Sequence, residues 1–344
     1  MSLPEAQRRV QVANQKLIRD LDPNELVEGI FALHNCQLGQ TKTGKPFIKC
    51  MLADRSARTP GRMWNATNEL FRQLPTDGFV WIVGQTQPYQ GEMQIIIQQI
   101  KAVEPSQEEL QELLPSTEYD VEEMFAEVSA CLRGLTHPPL RALGEAYLQD
   151  EALMTRFQRA PAAMVLHHAY IGGLLEHTLN MLHLAEVICP LYDDLNREVV
   201  LMGIFLHDLG KCAELEWATG FRYSDEGQLV GHIARGVIWL QAKADQCAAE
   251  GTVIPAPLLQ VLHHIIVSHH GTPEFGALKI PATPEAIAVS MIDNLDAKLH
   301  MGLAATRWQD RGTEKEAVLG GHFTEKIWAL STRMYRPDPT TVAT

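Results

Sequence analysis

Val199-Val200-Leu201-Met202-Gly203-Ile204-Phe205-Leu206-His207-Asp208-Leu209-Gly210-Lys211 is an apolar run that ends on an imidazole beside a carboxylate. A buried helix does not hold such a charge without a partner, because an unpaired buried carboxylate costs on the order of several kcal/mol. A metal ion is the obvious partner, since neutral imidazole and carboxylate both ligate first-row divalent metals. Gly210 reads as a tight turn, and Lys211 as a cation beside whatever the metal holds. One His-Asp dipeptide is a weak signal, so further ligands have to come from elsewhere in the chain.

Four other places supply them: His177 in Gly172-Gly173-Leu174-Leu175-Glu176-His177-Thr178, His232 after Gly231, the His269-His270-Gly271 triplet, and Asp293 in Met291-Ile292-Asp293-Asn294-Leu295-Asp296-Ala297-Lys298. Singly, each reads as an ordinary hydrogen-bonded core or surface residue. Jointly, they exceed what a structural account of one helical domain explains. A pair of divalent ions bridged by one carboxylate needs imidazoles for each ion, a shared Asp, and open positions for water and phosphate.

The chain around these residues divides by pattern. Residues 1–24 read as a helical lead-in, 25–104 as a barrel, 105–150 as an acidic helical linker, 151–335 as an all-α domain and 336–344 as a loose tail. The expected helices of the all-α domain are Met164 to Val187, Arg197 to Leu209, His232 to Ala249, Leu258 to His270 and Pro284 to Leu299, with room for a short hairpin in Phe221 to Leu229. Pro138-Pro139 is expected to end one linker helix, with another beyond it. In the barrel segment, strands are expected at Leu26 to Leu33, Phe47 to Leu52, from Arg62, at Phe79 to Gly84 and at Glu92 to Ile97, with a short helix from Ala66 to Leu74. Five strands with a helix between the third and fourth is the order of an OB barrel. Lys42, Lys45, Lys49, Arg55, Arg58 and Arg62 are placed to track phosphates, and Phe47 and Trp64 to stack bases. The competing reading makes these aromatics barrel filler and the cations solvated surface.

Net charge is −13, which argues against a generally basic nucleic-acid coat but not against a local groove. The six cysteines form no CxxC pair, so they read as free thiols of a reducing compartment, and a cytoplasmic protein is expected. No apolar run approaches the roughly 20 residues of a membrane span. The oligomeric state is left open, a homo-oligomer included.

The order His, His-Asp, His, His-His, Asp resembles the HD-domain metal-dependent phosphohydrolase superfamily from about Arg159 to Lys298. The barrel resembles nucleic-acid-binding OB domains of the anticodon-binding type through its Lys-Thr-Gly-Lys-Pro-Phe turn, its Asp54-Arg55-Ser56 turn, Trp64 and its Tyr-Gln-Gly-Glu-Met-Gln hairpin. An OB domain followed by this HD domain is similar to the YhaM-type 3′-5′ exoribonucleases. The resemblance implies that His177, His207, Asp208 and Asp293 hold a first metal, that Asp208 bridges to a second, and that His232 and His269 complete it. It implies for His270 a ligand or outer donor role, and for Lys211 a contact to substrate phosphate. His167, His168, His264 and Asp296 lie in matching motifs without an assigned role. His183, His263 and His300 read as structural, while His34, His137 and His322 lie outside the pattern.

The implied activity is hydrolysis of single-stranded RNA or DNA from the 3′ end to nucleoside 5′-monophosphates, with Asp208 and Lys211 in the catalytic set. Two divalent ions, manganese first and iron, cobalt, nickel or magnesium after it, would acidify a bound water and offset charge on the phosphoryl oxygens. Two other readings stand beside it. One is an HD-domain nucleotide or cyclic-dinucleotide phosphohydrolase, although the Gly-Tyr-Pro element of the cyclic-dinucleotide enzymes is replaced here by Gly271-Thr272-Pro273. The other is a non-catalytic single-strand-binding protein stapled by a structural metal.

Overall fold

The computed structural model describes residues 15–306 and 322–340, except 42, 77, 90–91, 107–108, 111–112, 165, 218–219 and 338–339. Lys42, the tip of the Tyr89 hairpin and most of the tail therefore lie outside the described residues. Two compact units are present.

The first unit is built on a closed five-stranded barrel of order β1-β2-β3-β5-β4. Its strands are β1 (Leu26–Gln40), β2 (Pro46–Ala53), β3 (Arg58–Trp64), β4 (Gly78–Tyr89) and β5 (Glu92–Val103), with the short helix α1 (Asn68–Arg72) between β3 and β4. The expected OB order is thus present. β1 runs past the expected Leu33 because it serves two partners. Leu26 to Leu33 pair with β4, Ala32 to Gln40 pair with β2, and a bulge between His34 and Gln37 interrupts the alternation that would have shown the second half. β3 begins at Arg58 rather than Arg62, and its brief parallel pairing with β5 closes the barrel. The interior is mainly aliphatic, with Ile48, Leu52, Val80, Ile82 and Ile95 fully buried around Phe31. Of the lead-in expected to be helical, the described part holds only a 3-10 turn at Ile18–Asp20. Ile18 enters the barrel core, its N–H donating to Asp54 at 2.6 Å.

The same unit contains a feature the sequence reading placed within the all-α domain: an antiparallel hairpin of β8 (Phe323–Ile327) and β9 (Thr332–Tyr335). Earlier in the chain, β6 (Leu215–Glu216) and β7 (Arg222–Tyr223) pair as a two-residue antiparallel ladder in the second unit.

The second unit is helical. Its elements are α2 (Val121–Arg133), α3 (Pro138–Leu148), α4 (Glu151–Phe157), α5 (Gly173–Ile188), α6 (Arg197–His207), α7 (Lys211–Glu214), α8 (Asp225–Leu229), α9 (Gly231–Ala249), α10 (Ala256–Ser268) and α11 (Pro284–Thr306). The two prolines occupy the first turn of α3, where a missing N–H costs nothing, instead of ending the helix before it. α5 starts at Gly173, not Met164; the residues before it turn back through His168, whose φ of 45° lies in the left-handed region. α6 is buried at every residue from Val199 to His207, which explains why its sequence is apolar all round. No helix among the described residues is long and apolar enough to cross a membrane.

Candidate metal centre

The end of α6 delivers His207 and Asp208 to the interior, where they are 0% and 2% exposed. Two groups of potential ligand atoms converge there, each with its atoms within 4.8 Å of one another: Asp208, His232, His269 and His270, and His177, His207 and Asp293. All seven residues proposed as ligands from the sequence are thus gathered. Asp208 lies between the groups. Its Oδ2 is 3.3 Å from His207 Nε2, and its Oδ1 is 3.5 Å from His232 Nε2 and 3.4 Å from His269 Nε2. On the other side, His177 Nε2 is 3.3 Å from Asp293 Oδ1.

The hydrogen bonds decide which nitrogens face the centre. Nδ1 of His207 donates to the Ile204 carbonyl at 2.6 Å, and Nδ1 of His269 to the Ile266 carbonyl at 2.8 Å. Nδ1 of His232 donates to Glu214 at 3.0 Å, and Nδ1 of His177 to Asp296 at 2.7 Å. Because every one of these partners is an acceptor, each Nδ1 carries the proton and each Nε2 keeps a lone pair. Those four Nε2 atoms, Asp208 Oδ1 and His270 Nδ1 are buried and make no hydrogen bond. Buried polar atoms without partners are rare, and here they cluster with their lone pairs turned inward. This donor set fits divalent metal ions, with carboxylates and carbonyls behind the rings as metal-binding histidines require.

The electrostatics agree. Burial pushes His270 down to about 3, with His269 adding to the effect, so its ring is neutral and free to ligate. Burial alone would raise the Asp208 carboxyl, but the Lys211 ammonium and His207 outweigh it and hold it well below the usual range. Burial would lower His177, yet the Asp293 and Asp296 carboxylates on its two sides lift it to about 9, so its Nε2 face favours a positive charge, whether proton or metal ion. A ring between two carboxylates is a seat for positive charge.

Several assignments change with the geometry. Lys211, expected at substrate phosphate, has its ammonium 2.6 Å from Asp208 Oδ2 and is buried, so its first partner is the carboxylate. Asp296, without a role in the sequence reading, accepts from His177 Nδ1 and from His168 Nε2 at 2.9 Å. A third group of possible ligand atoms, His168, His177 and Asp296, is therefore already satisfied by its own hydrogen bonds. Behind it, Tyr170 donates to Glu176 at 2.8 Å, and Thr117 to the other oxygen of Glu176 at 2.6 Å. Glu214, which holds His232, was not singled out by sequence; only its place six residues after Asp208 could have marked it.

Gly210 is not needed for backbone freedom, since its φ of −58° suits any residue. It is needed for space: a Cβ there would stand 2.0 Å from the His232 carbonyl oxygen. Gly173 likewise lies where a Cβ would meet the His168 carbonyl at 2.0 Å. Gly210→Ala is expected to cost about 1–3 kcal/mol, because only backbone can yield. It should also weaken metal binding by moving His232. Thermal unfolding and metal titration check the two effects, and a variant with parental values in both would refute the packing argument.

On the barrel, Phe47 is opposite Trp64 and Lys49 opposite Arg62 across β2 and β3. The Phe47 and Trp64 ring centroids are 5.3 Å apart, and Trp64 is 43% exposed, so it is not interior filler. Arg62 lies over the Tyr89 ring at 5.2 Å. Lys45, Lys49 and Arg55 are exposed, Arg55 beside the turn in which Asp54 accepts from the Ser56 and Ala57 N–H groups.

A helical domain with its His-Asp pair at the end of a buried helix and two imidazole-carboxylate groups around it defines an HD-domain protein, and the family model for the HD domain matches residues 174–298. The chain is 32% identical over 315 residues to the 3′-5′ exoribonuclease YhaM of Bacillus velezensis (strain DSM 23117 / BGSC 10A6 / LMG 26770 / FZB42), covering 91% of this chain and 95% of that protein. It is 32% identical over 315 residues to YhaM of Geobacillus sp. (strain WCH70), covering 91% and 92%. The chain belongs to the YhaM family of 3′-5′ exoribonucleases. Among solved structures, the second OB-fold domain of replication protein A from Methanococcus maripaludis is 17% identical with a TM-score of 0.22, covering 26% of this chain and 96% of that one.

Proposed function

We propose that this chain is a divalent-metal-dependent exonuclease that shortens single-stranded RNA from its 3′ end and releases nucleoside 5′-monophosphates. The observation that carries the reading is the inward-turned set of unpaired imidazole nitrogens on both sides of Asp208. Family membership supplies the substrate class and polarity.

In this reading His177, His207 and Asp293 hold one ion, His232, His269 and His270 the other, and Asp208 serves both. Manganese is the first candidate, and the mix of imidazole and carboxylate without thiolate also suits iron, cobalt or nickel. When bound, such ions supply an acidified water and neutralise phosphoryl charge. The chain's own residues prepare the site. Ile204 and Ile266 carbonyls, Glu214 and Asp296 lock the four rings in one tautomer. Lys211 keeps Asp208 ionised and fixes its direction. On the barrel, Phe47 and Trp64 offer ring faces for bases while Lys45, Lys49, Arg55 and Arg62 meet phosphates. The free thiols are compatible with a reducing, cytoplasmic setting.

The experiment is a 5′-labelled single-stranded RNA incubated with purified protein and Mn²⁺, with matched DNA alongside. A ladder shortening from the 3′ end with mononucleotide product is expected, and the comparison ranks RNA against DNA. Intact RNA with a cyclic dinucleotide or free nucleotide cleaved instead would overturn the proposal. Asp296→Ala is expected to weaken Mn²⁺ binding by about 10–100-fold, as loss of a carboxylate behind a metal-bound histidine does. Calorimetric titration measures this directly, and an unchanged affinity would remove Asp296 from the site.

A further inference from the structure

The C-terminal hairpin repeats the barrel's aromatic and cationic surface. In the barrel, an aromatic pair, Phe47 and Trp64, is followed two residues along the same face by a cation pair, Lys49 and Arg62. In the hairpin, Phe323 is opposite Tyr335 and Lys326 is opposite Arg333. The Phe323 and Tyr335 ring centroids are 5.3 Å apart. A bulge between Phe323 and Lys326 absorbs the extra residue and keeps both on one face. The Arg333 guanidinium lies 5.9 Å from the Phe323 ring centroid, so this cation stands on the same side as the aromatic pair.

This face is costly unless something covers it. Phe323 is 45% and Tyr335 51% exposed, and both cations are exposed. Like charges directly opposite on paired strands repel. Among the described residues no ion pair relieves either one; Arg333 Nε donates to the Thr324 carbonyl at 2.8 Å, which offsets no charge. The surface stands out on a chain of net charge −13. A polyanion removes the repulsion, and unstacked bases cover the rings. A duplex offers only phosphates, so a single strand is the better match.

We propose that the hairpin Phe323 to Tyr335 is a second binding surface for single-stranded RNA, with Lys326 and Arg333 on phosphates and Phe323 and Tyr335 stacking on bases. Its ligand class rests on the exoribonuclease reading above. The test uses the full chain in EDTA and anisotropy of a fluorescein-labelled oligoadenylate over a range of salt. K326Q/R333Q is expected to raise Kd about tenfold and to lower the salt slope by about 1–2. Tyr335→Ala should raise Kd about tenfold with the slope unchanged, because stacking is not ionic. Tyr335→Phe and the charge-preserving K326R/R333K should bind as the parent does.

Mn²⁺-dependent hydrolysis of bis(p-nitrophenyl) phosphate reports the metal centre independently and should be the same in all variants. Unchanged Kd and slope in K326Q/R333Q would overturn the proposal. So would a fall in the reporter rate matching the loss of binding, which would make the hairpin structural. A parent protein that binds RNA here but never shortens it would instead overturn the exoribonuclease reading and leave the hairpin surface in place.

Discussion

Asp208→Asn is expected to abolish metal-dependent nucleotide release while single-strand binding in EDTA stays at the parental level. Asparagine keeps the shape and an oxygen for Lys211, so the change removes charge rather than volume. That charge faces both groups of candidate ligands at once, since Oδ2 lies beside His207 and Oδ1 beside His232 and His269. Loss of an outer partner behind a ligand costs about 10–100-fold, so loss of the shared carboxylate itself should exceed about 10³-fold in rate. Asp208→Ala should add a stability penalty that the asparagine variant avoids. It strands the Lys211 ammonium, which is 8% exposed and has Asp208 at 2.6 Å. Breaking a buried pair in this way costs about 3–5 kcal/mol. Burial is the largest influence on Lys211 and acts against its charge, with Asp208 the chief opposing group, so the lysine should then lose its proton more readily. Initial rates on labelled RNA, metal titration and thermal unfolding of the two variants separate these effects. An asparagine variant with more than about a tenth of parental activity would mean that Asp208 is not shared between the ions.

The candidate ligands were legible because they break local patterns. His207-Asp208 ends an apolar helix, and His177, His269 and Asp293 interrupt others, so each needs a partner that apolar sequence cannot provide. The groups behind the rings break no pattern. Glu214 ends the short helix α7 as an ordinary charged residue, and nothing local shows that its oxygen meets His232, 18 residues further on. Asp296 looks like any helix carboxylate until α11 is laid beside α5 and His177 comes within 2.7 Å. Gly210 was noticed for the wrong reason: its neighbour across the turn, His232, is distant in sequence and decides its size. The barrel order was readable from alternation, whereas the second half of β1 was hidden by its bulge. The C-terminal hairpin was missed because strands of five and four residues, one of them bulged, give too little alternation to stand out after a long helical stretch.

Phe205→Ala should be the most destabilising single truncation in the helical unit. Phe205 is 1% exposed and stands between Tyr147 of α3 and Phe157 of α4, with ring centroids 5.6 and 5.7 Å away and near-perpendicular planes at 81° and 80°. Edge-to-face pairs of this kind add to the burial of the ring. Neither neighbour can follow it inward, because Tyr147 and Phe157 are themselves fully buried. A cavity is therefore left, and the expected cost is about 3–5 kcal/mol, the usual range for removing a buried aromatic ring. In a domain of this size that lowers the melting temperature by roughly 6–20 °C. Phe205→Leu keeps part of the volume and should lose less. The residue lies two positions before His207 on α6, so packing and chemistry share one helix. The alanine variant, assayed well below its melting temperature, should still bind Mn²⁺, because Ile204 and not Phe205 holds the His207 ring. Circular dichroism on heating and metal titration in the cold test both halves. A melting temperature within about 2 °C of the parent would show that α3 and α4 close over the gap. Loss of metal binding in a folded variant would show that the ring of Phe205, and not only the backbone of α6, sets the position of His207.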